Sequence, residues 1–253
     1  MTPTERIAAV RRELTAVHAE LRQALANDKS RRRGPLVRQL HELRAMIDPG
    51  YVYPSQAGQD LIVDRLLGGK RDGTFVDIGG FDGTTGSNTF FFEVWRGWTG
   101  ALIEPVSAQL AKARAVRRCP CLQYAVADTD GAARFIEVTQ GFTQMSGLAD
   151  SYDPAMLTRV RDDPRHQEQA VTVQTRTLAG ILAEVGIADP DFISLDIEGG
   201  ELAALAAFPF ADHRVGIWAI ENNTGSGNIS ALMRANGYDL VEFCGPDEIY
   251  RRR

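Results

Sequence analysis

The chain has 253 residues, 44% of them hydrophobic and 24% charged, with a formal net charge of −5. That is an ordinary globular make-up, with room for one α/β domain of about 200 residues and an appendage. The acidic balance speaks against a nucleic-acid binder, which would show a basic face, and no apolar run reaches the roughly 18 residues that span a membrane.

At the N-terminus Ile7, Val10, Leu14, Val17, Leu21 and Leu25 recur at three- and four-residue spacing. They predict an amphipathic helix over Thr4–Asn27, capped by Thr4. Asp28–Pro35 breaks the pattern. A second helix over Leu36–Ile47 carries Leu36, Leu40, Leu43 and Ile47 on one face, and Asp48-Pro49-Gly50 ends it. Residues 1–50 are therefore expected to form a helical hairpin. A stripe this narrow wants a partner helix, so packing or a homodimer is expected, with a platform for a large acceptor as the sharper alternative. Arg31-Arg32-Arg33 is too short a run to imply a phosphate clamp and reads as a solvated turn; His18 and His41 read as helix-surface bystanders. The segment lacks the apolar core of a signal peptide, and Cys119, Cys121 and Cys244 make no obvious pairing, so reduced thiols and a cytoplasmic location are expected.

From residue 51 the pattern becomes that of an α/β domain. Ser55–Leu67 reads as a helix. Phe75, Val76 and Ile78 make a short buried strand that breaks into Gly79, Gly80 and Gly83, the place where an open α/β sheet binds its ligand. The spacing is D-x-G-x-x-x-G (Asp77, Gly79, Gly83) and not the G-x-G-x-x-G of a dinucleotide loop. Two carboxylates, Asp77 and Asp82, would repel a pyrophosphate and suit a cation. The next strand, Gly100–Ile103, ends in Glu104, placed to accept hydrogen bonds from a ribose diol. A cationic, phosphate-free nucleoside is S-adenosylmethionine. Gln56 and Gln59 are then expected at its methionine end, and a helix over Asn88–Trp95 offers free amides at Ser87-Asn88 to its carboxylate. Phe90, Phe91, Phe92 and Trp95 are expected in the core.

Ala108–Arg118 is the next helix and Leu122–Ala127 the third strand. Asp128 follows, where an adenine amino group needs an acceptor, although Asp128-Thr129-Asp130-Gly131 also reads as a tight turn. Ala133–Val138 alternates like an edge strand. The unpatterned stretch from about 141 to 170, with a short helix after Pro154, is expected to be a lid over the substrate. Strand Val171–Thr175, helix Thr177–Val185, strand Phe192–Leu195, helix Glu201–Ala207, strand Val215–Ile220 and helix Ile229–Asn236 follow. Tyr238–Phe243 and Glu248–Arg251 form a hairpin about Gly245-Pro246-Asp247. A terminal antiparallel hairpin on a mostly parallel sheet marks the class I methyltransferase, Rossmann-like topology.

Residues 53–251 resemble FkbM-type S-adenosylmethionine-dependent O-methyltransferases. The matching pieces are Ser55–Asp60, Phe75–Gly83 with Ser87-Asn88-Thr89, Leu102-Ile103-Glu104-Pro105, Thr175–Leu178, Ser194–Glu201, Ile220-Glu221-Asn222 and Asp247–Arg251. The resemblance implies a hydroxyl acceptor on a sugar, a glycan or glycolipid, or a secondary metabolite. It places Gln56, Asp77, Gly79, Phe81, Asp82, Ser87, Asn88, Glu104, Pro105 and Asp128 around the cofactor.

A neutral alcohol is a poor nucleophile, so a base or a metal must help remove its proton. Asp196 and Glu198 follow the fourth core strand and Glu221-Asn222 end the fifth. Asp196, Glu221 and Asn222 make a hard-oxygen half-shell fit for Mg²⁺. Metal-dependent catechol-type O-methyltransferases look similar, but Glu221 replaces their second Asp and Gly199 their lysine base. The alternatives are metal-free: Asp196 or Glu198 as base, or His166 from the lid; His213 is the other nearby histidine. Glu201 suits a helix start on dipole grounds alone. A competing reading is a catalytically silent scaffold acting through the N-terminal helices, yet Asp77, Gly79, Glu104 and Asp196 are all in place.

Overall fold

In the computed structural model, which describes residues 1–253, the apolar runs assemble into a seven-stranded sheet. Its strands are β1 (Thr74–Ile78), β2 (Thr99–Ile103), β3 (Cys121–Leu122), β8 (Phe192–Leu195), β9 (Ile217–Glu221), β10 (Tyr238–Cys244) and β11 (Asp247–Arg252). The order is β10-β11-β9-β8-β1-β2-β3, parallel from β3 to β9, with the expected antiparallel hairpin on the far edge. β1 lies between β2 and β8, so the strand order reverses there and opens a crevice at the carboxyl ends.

Side chains alternate between the two faces, and both faces are covered. Val76, Ile78, Ile193, Leu195, Trp218 and Ile220 pack with helices α6 (Leu178–Val185), α7 (Glu201–Ala206) and α8 (Gly227–Ala235). Phe75, Phe192, Ile217, Ala219 and Ile249 pack on the other side with Val63 of α3 (Gln59–Leu66), Phe91, Phe92 and Trp98. Of the expected core aromatics, Phe91 and Phe92 are buried, while Phe90 is half-buried and Trp95 exposed. The reason is a π-helical turn at Phe92–Arg96, which rotates Val94 and Trp95 outward.

A second, four-stranded sheet corrects the expected third strand and edge strand. Leu122–Ala127 splits: β3 stays beside β2, whereas β4 (Ala125–Val126) joins β7 (Gln167–Arg176). β5 (Gly131–Gln140) is not an edge, since it lies between β7 and the short β6 (Gly147–Leu148). Between β6 and β7, α5 (Pro154–Arg161) is capped by the Asp153 side chain, which accepts from the Met156 amide at 2.8 Å.

The N-terminal hairpin is α1 (Pro3–Asn27) and α2 (Arg33–Ile47). Thr2, not Thr4, caps α1, through a reciprocal box in which the Glu5 amide donates to Thr2 Oγ1 and the Thr2 amide to Glu5 Oε2. The Arg31-Arg32-Arg33 turn is not merely solvated. Arg33 forks onto Glu242 at 2.6 and 2.5 Å, and Arg31 pairs with Glu248 at 2.6 Å. Helix α4 (Ser107–Val116) covers β2 and β3 through Leu110 and Ala113. The three cysteines form no disulfide, and no helix is long and apolar enough to cross a membrane.

Candidate functional site

A cavity of about 440 Å³ opens at the carboxyl ends of β1, β2, β8 and β9. It brings together Gln56, Asp77, Gly79, Phe81, Ser87, Asn88, Glu104, Pro105, Asp196, Glu198 and Glu221. The backbone after β1 is built for close approach. A Cβ on Gly79 (φ +79°) would lie 1.8 Å from the Asp196 carbonyl oxygen, so no other residue fits. Phe81 is held left-handed at φ +48°, and its amide donates to Glu104 Oε2 at 2.9 Å while the Val106 amide donates to Oε1 at 2.8 Å. These bonds fix the carboxylate and leave lone pairs for the cavity. Burial pushes the Glu104 carboxyl up to about 7, against those two amide bonds.

Asp77 faces the cavity from a neutralised setting. Its Oδ2 accepts from Thr89 Oγ1 at 2.5 Å and lies 3.4 Å from the guanidinium of Arg117, a fully buried side chain that also pairs with Glu93 at 2.6 Å. Several expected contacts are corrected here. Of the two amides expected to be free, that of Ser87 donates to Thr84 O at 3.3 Å and that of Asn88 has no partner within the protein, while the next two, of Thr89 and Phe90, donate to Ser87 Oγ at 3.2 and 3.1 Å. Asp82 does not line the cavity; its oxygens are occupied by the Thr84 and Thr85 amides at 3.0 and 2.8 Å and by the Thr85 hydroxyl. Gln59 points away, donating to Asp247 at 2.9 Å, and only Gln56 reaches the wall. Helix α3 starts later than expected because Asp60 binds back to the Ser55 amide and hydroxyl, holding Ser55–Gly58 in a bend that ends in left-handed Gly58 (φ +88°). Asp128 lines a separate groove of about 300 Å³, following its turn reading.

The wall opposite Glu104 is apolar and was missed from sequence. Tyr124 comes from the connection between β3 and β4, and Val126, Phe135 and Leu148 from the second sheet, with Thr143–Ser146 of the expected lid beside them. Only the pairing of β4 with β7 gathers them, and no local pattern records that.

At the far end lie three carboxylates. Asp196, Glu198 and Glu221 each present an oxygen, all within 4.8 Å of one another. Burial first pushes all three carboxyls well above the usual range, and neighbouring acids add to it: Asp247 for Asp196, and Asp196 for Glu198 and Glu221. Glu198 Oε2 and Glu221 Oε2 are buried with no hydrogen-bond partner. Glu198 reaches the cluster because its backbone is left-handed (φ +60°), a conformation rare outside glycine and concentrated at functional sites. Asn222 is not in the cluster; its amide donates to Ser226 O at 3.0 Å and to Glu248 Oε1 at 2.9 Å, so Glu198 takes the place expected for it. Glu201 accepts from the Ile197 and Gly199 amides at 3.0 and 3.2 Å, a loop-capping role. His166 bonds Glu168 on the outer ribbon and His213 bonds Ala188 O, and neither lines the cavity. No Lys, Arg or His lines it at all.

The chain matches the Methyltransferase FkbM domain family over residues 77–240, from the end of β1 into β10. It belongs to that family. Among solved structures it is similar to methyltransferase FkbM from Methylobacillus flagellatus KT, at 16% identity and a TM-score of 0.49, over 94% of this chain and 58% of that one. The chain thus spans just over half the length of that protein. A TehB-like SAM-dependent methyltransferase from Corynebacterium glutamicum aligns at 11% identity and a TM-score of 0.41, over 85% and 96% of the two chains. A SAM-dependent methyltransferase from Geobacter sulfurreducens, solved with S-adenosyl-L-homocysteine, aligns at 12% and 0.34, over 79% and 71%. At such identities and scores these likenesses bear on neither substrate nor mechanism. No curated protein matches the chain. The family domain agrees with what the crevice holds: a glycine bend, an anchored Glu104 and an acidic far end.

Proposed function

We propose that the protein is an S-adenosylmethionine-dependent O-methyltransferase acting on a hydroxyl of a sugar, a glycan or glycolipid, or a secondary metabolite. The observation that carries this is a deep cavity with carboxylates at both ends and no basic side chain. Such a lining disfavours a pyrophosphate and suits a cationic nucleoside. Glu104 is set to accept from a ribose diol, the Tyr124–Phe135–Leu148 wall to cover a purine, and Asp77 and Gln56 to face an ammonium group. Bound there, S-adenosylmethionine supplies a methyl group on a sulfonium leaving group.

The chain's own part is to orient the acceptor oxygen and take its proton. With no histidine or lysine on the cavity wall, the base is a carboxylate of the Asp196–Glu198–Glu221 cluster. Burial first, and then repulsion from neighbouring acids, raises the proton affinity of these groups, which strengthens them as bases. The same three oxygens form an all-carboxylate donor set suited to Mg²⁺, and the two partnerless oxygens fit a cation. Bound there, Mg²⁺ would offset the repulsion and lower the acceptor hydroxyl's pKa.

The test is methyl transfer from labelled S-adenosylmethionine to a panel of glycosides and hydroxylated metabolites, with Mg²⁺ and with a strong chelator. S-adenosylmethionine is expected to raise the melting temperature by several degrees and NAD to leave it unchanged. Stabilisation by NAD alone would overturn the assignment. Transfer that survives the chelator would remove Mg²⁺ and leave the carboxylate base.

We also propose a homodimer through α1. None of its residues is buried, and Ile7 and Val10 are 59% and 57% exposed on the apolar stripe. Light scattering of the intact chain against an Ile7→Lys, Val10→Lys variant tests this, a monomer in both being the adverse result.

A further inference from the structure

Behind the carboxylate cluster lies a second cavity, of about 370 Å³, that shares Glu198 and Glu221 with the first. Its walls have two characters. Met156 of α5, Leu202 of α7 and Ile229 of α8 make one side apolar, while Asn223, Thr224 and Asn228 make the rim polar. Neither Asn223 nor Asn228 has a side-chain hydrogen bond within the protein, whereas Asn222 is committed to Ser226 and Glu248. The cavity holds no aromatic ring and no Lys, Arg or His. Its two shared acids each carry an oxygen that is buried and partnerless, with Glu198 and Glu221 only 8% and 9% exposed.

We infer that this second cavity is the acceptor site and that it selects a neutral polyhydroxyl molecule, excluding acceptors that carry phosphate, sulfate or carboxylate near the reacting hydroxyl. The inference rests on the methyltransferase reading above. A saturated ring with a C–H face and a hydroxyl edge matches a wall that is apolar on one side and rich in amides on the other. A hydroxyl at the floor can donate to either partnerless carboxylate oxygen, which satisfies an acceptor otherwise left unmade. With no metal held by the cluster, an anion at the same depth would lose its water, meet no Lys, Arg or His and face the acids, so it is refused whether or not those acids hold a proton. A flat aromatic acceptor would find no ring to stack on.

The test uses the full chain loaded with S-adenosylhomocysteine and three probes: methyl glucoside, glucose 6-phosphate and glucuronate. In crystals soaked with methyl glucoside, density is expected between Met156, Leu202 and Ile229 on one side and Asn223 and Asn228 on the other. By calorimetry the two anionic probes should bind at least about tenfold more weakly than the neutral one. Asn228→Lys, an exposed change outside the cofactor cavity, should bring anion binding up to the neutral level while leaving S-adenosylhomocysteine affinity unchanged. The proposal is overturned if S-adenosylhomocysteine binds but methyl glucoside is absent or seated elsewhere, or if the anions bind as well as it does. Failure of S-adenosylhomocysteine to bind would instead overturn the methyltransferase reading on which the proposal rests.

Discussion

Two groups of largely buried acids stand at the carboxyl end of the sheet, and they are built on opposite terms. Asp77 and Glu93 share the fully buried guanidinium of Arg117, with Thr89 and Ser87 completing the bonds. Asp196, Glu198 and Glu221 pair with no basic group, and two of their oxygens have no partner. A compensated cluster serves the fold. An uncompensated one costs stability, and proteins retain such groups where the chemistry uses them.

Removing the compensator should have the largest effect. Arg117→Met strands two buried carboxylates, and breaking such a pair costs about 3–5 kcal/mol. The urea midpoint should fall accordingly, with cofactor binding lost along with the loop. If Arg117→Met is as stable as the parent, the two clusters do not differ as described.

The uncompensated cluster should respond the other way. Glu198→Gln removes one of three crowded acids, so the urea midpoint should hold or rise, while methyl transfer drops about 10²-fold or more. S-adenosylmethionine affinity measured by calorimetry should change little, since Glu104 and Asp77 are untouched. A destabilised Glu198→Gln protein with intact transfer would make this cluster structural as well.

The contrast also explains what the sequence reveals. The glycine bend, Asp77 and Glu104 lie in two short runs where strand end and turn coincide, so spacing alone identifies them. The carboxylates are legible one by one, Asp196 and Glu221 at strand ends and Glu198 as a candidate base, but that Glu198 joins the other two depends on a left-handed backbone that spacing cannot encode. Asn222, its expected counterpart, is drawn away by Glu248, 26 residues further on. Arg117 could not be found at all, because its partners are spread from Asp77 to Glu93. The apolar wall depends on a sheet whose strands pair out of chain order, and only the fold reports it.

Acids outside both clusters add to the pH dependence that the uncompensated cluster already imposes. Burial pushes the Asp60 and Glu104 carboxyls up to about 7. In the unfolded chain such groups lose their protons near pH 4. Between about pH 4 and 7 the folded state therefore holds more protons than the unfolded one, and stability falls as pH rises through that window. The melting temperature should be several degrees higher at pH 6 than at pH 8. Asp60→Asn should flatten part of that slope; a slope unchanged by this variant would place its source elsewhere.

The smallest effect expected separates the appendage from the site it braces. Arg31, in the turn between α1 and α2, donates to Pro246 O at 3.0 Å, to Glu248 at 2.6 Å and to the carbonyl of Asn222, the residue after Glu221. Lysine keeps the charge but cannot hold three acceptors in one plane. Arg31→Lys should thus leave the melting temperature within a few degrees while lowering turnover about tenfold at unchanged cofactor affinity, because Glu221 loses its fixed backbone. Amide exchange across Asn222–Gly225 should speed up in the same variant. If exchange quickens without loss of turnover, the hairpin steadies the loop but not the reacting carboxylate, and the N-terminal helices belong to assembly alone.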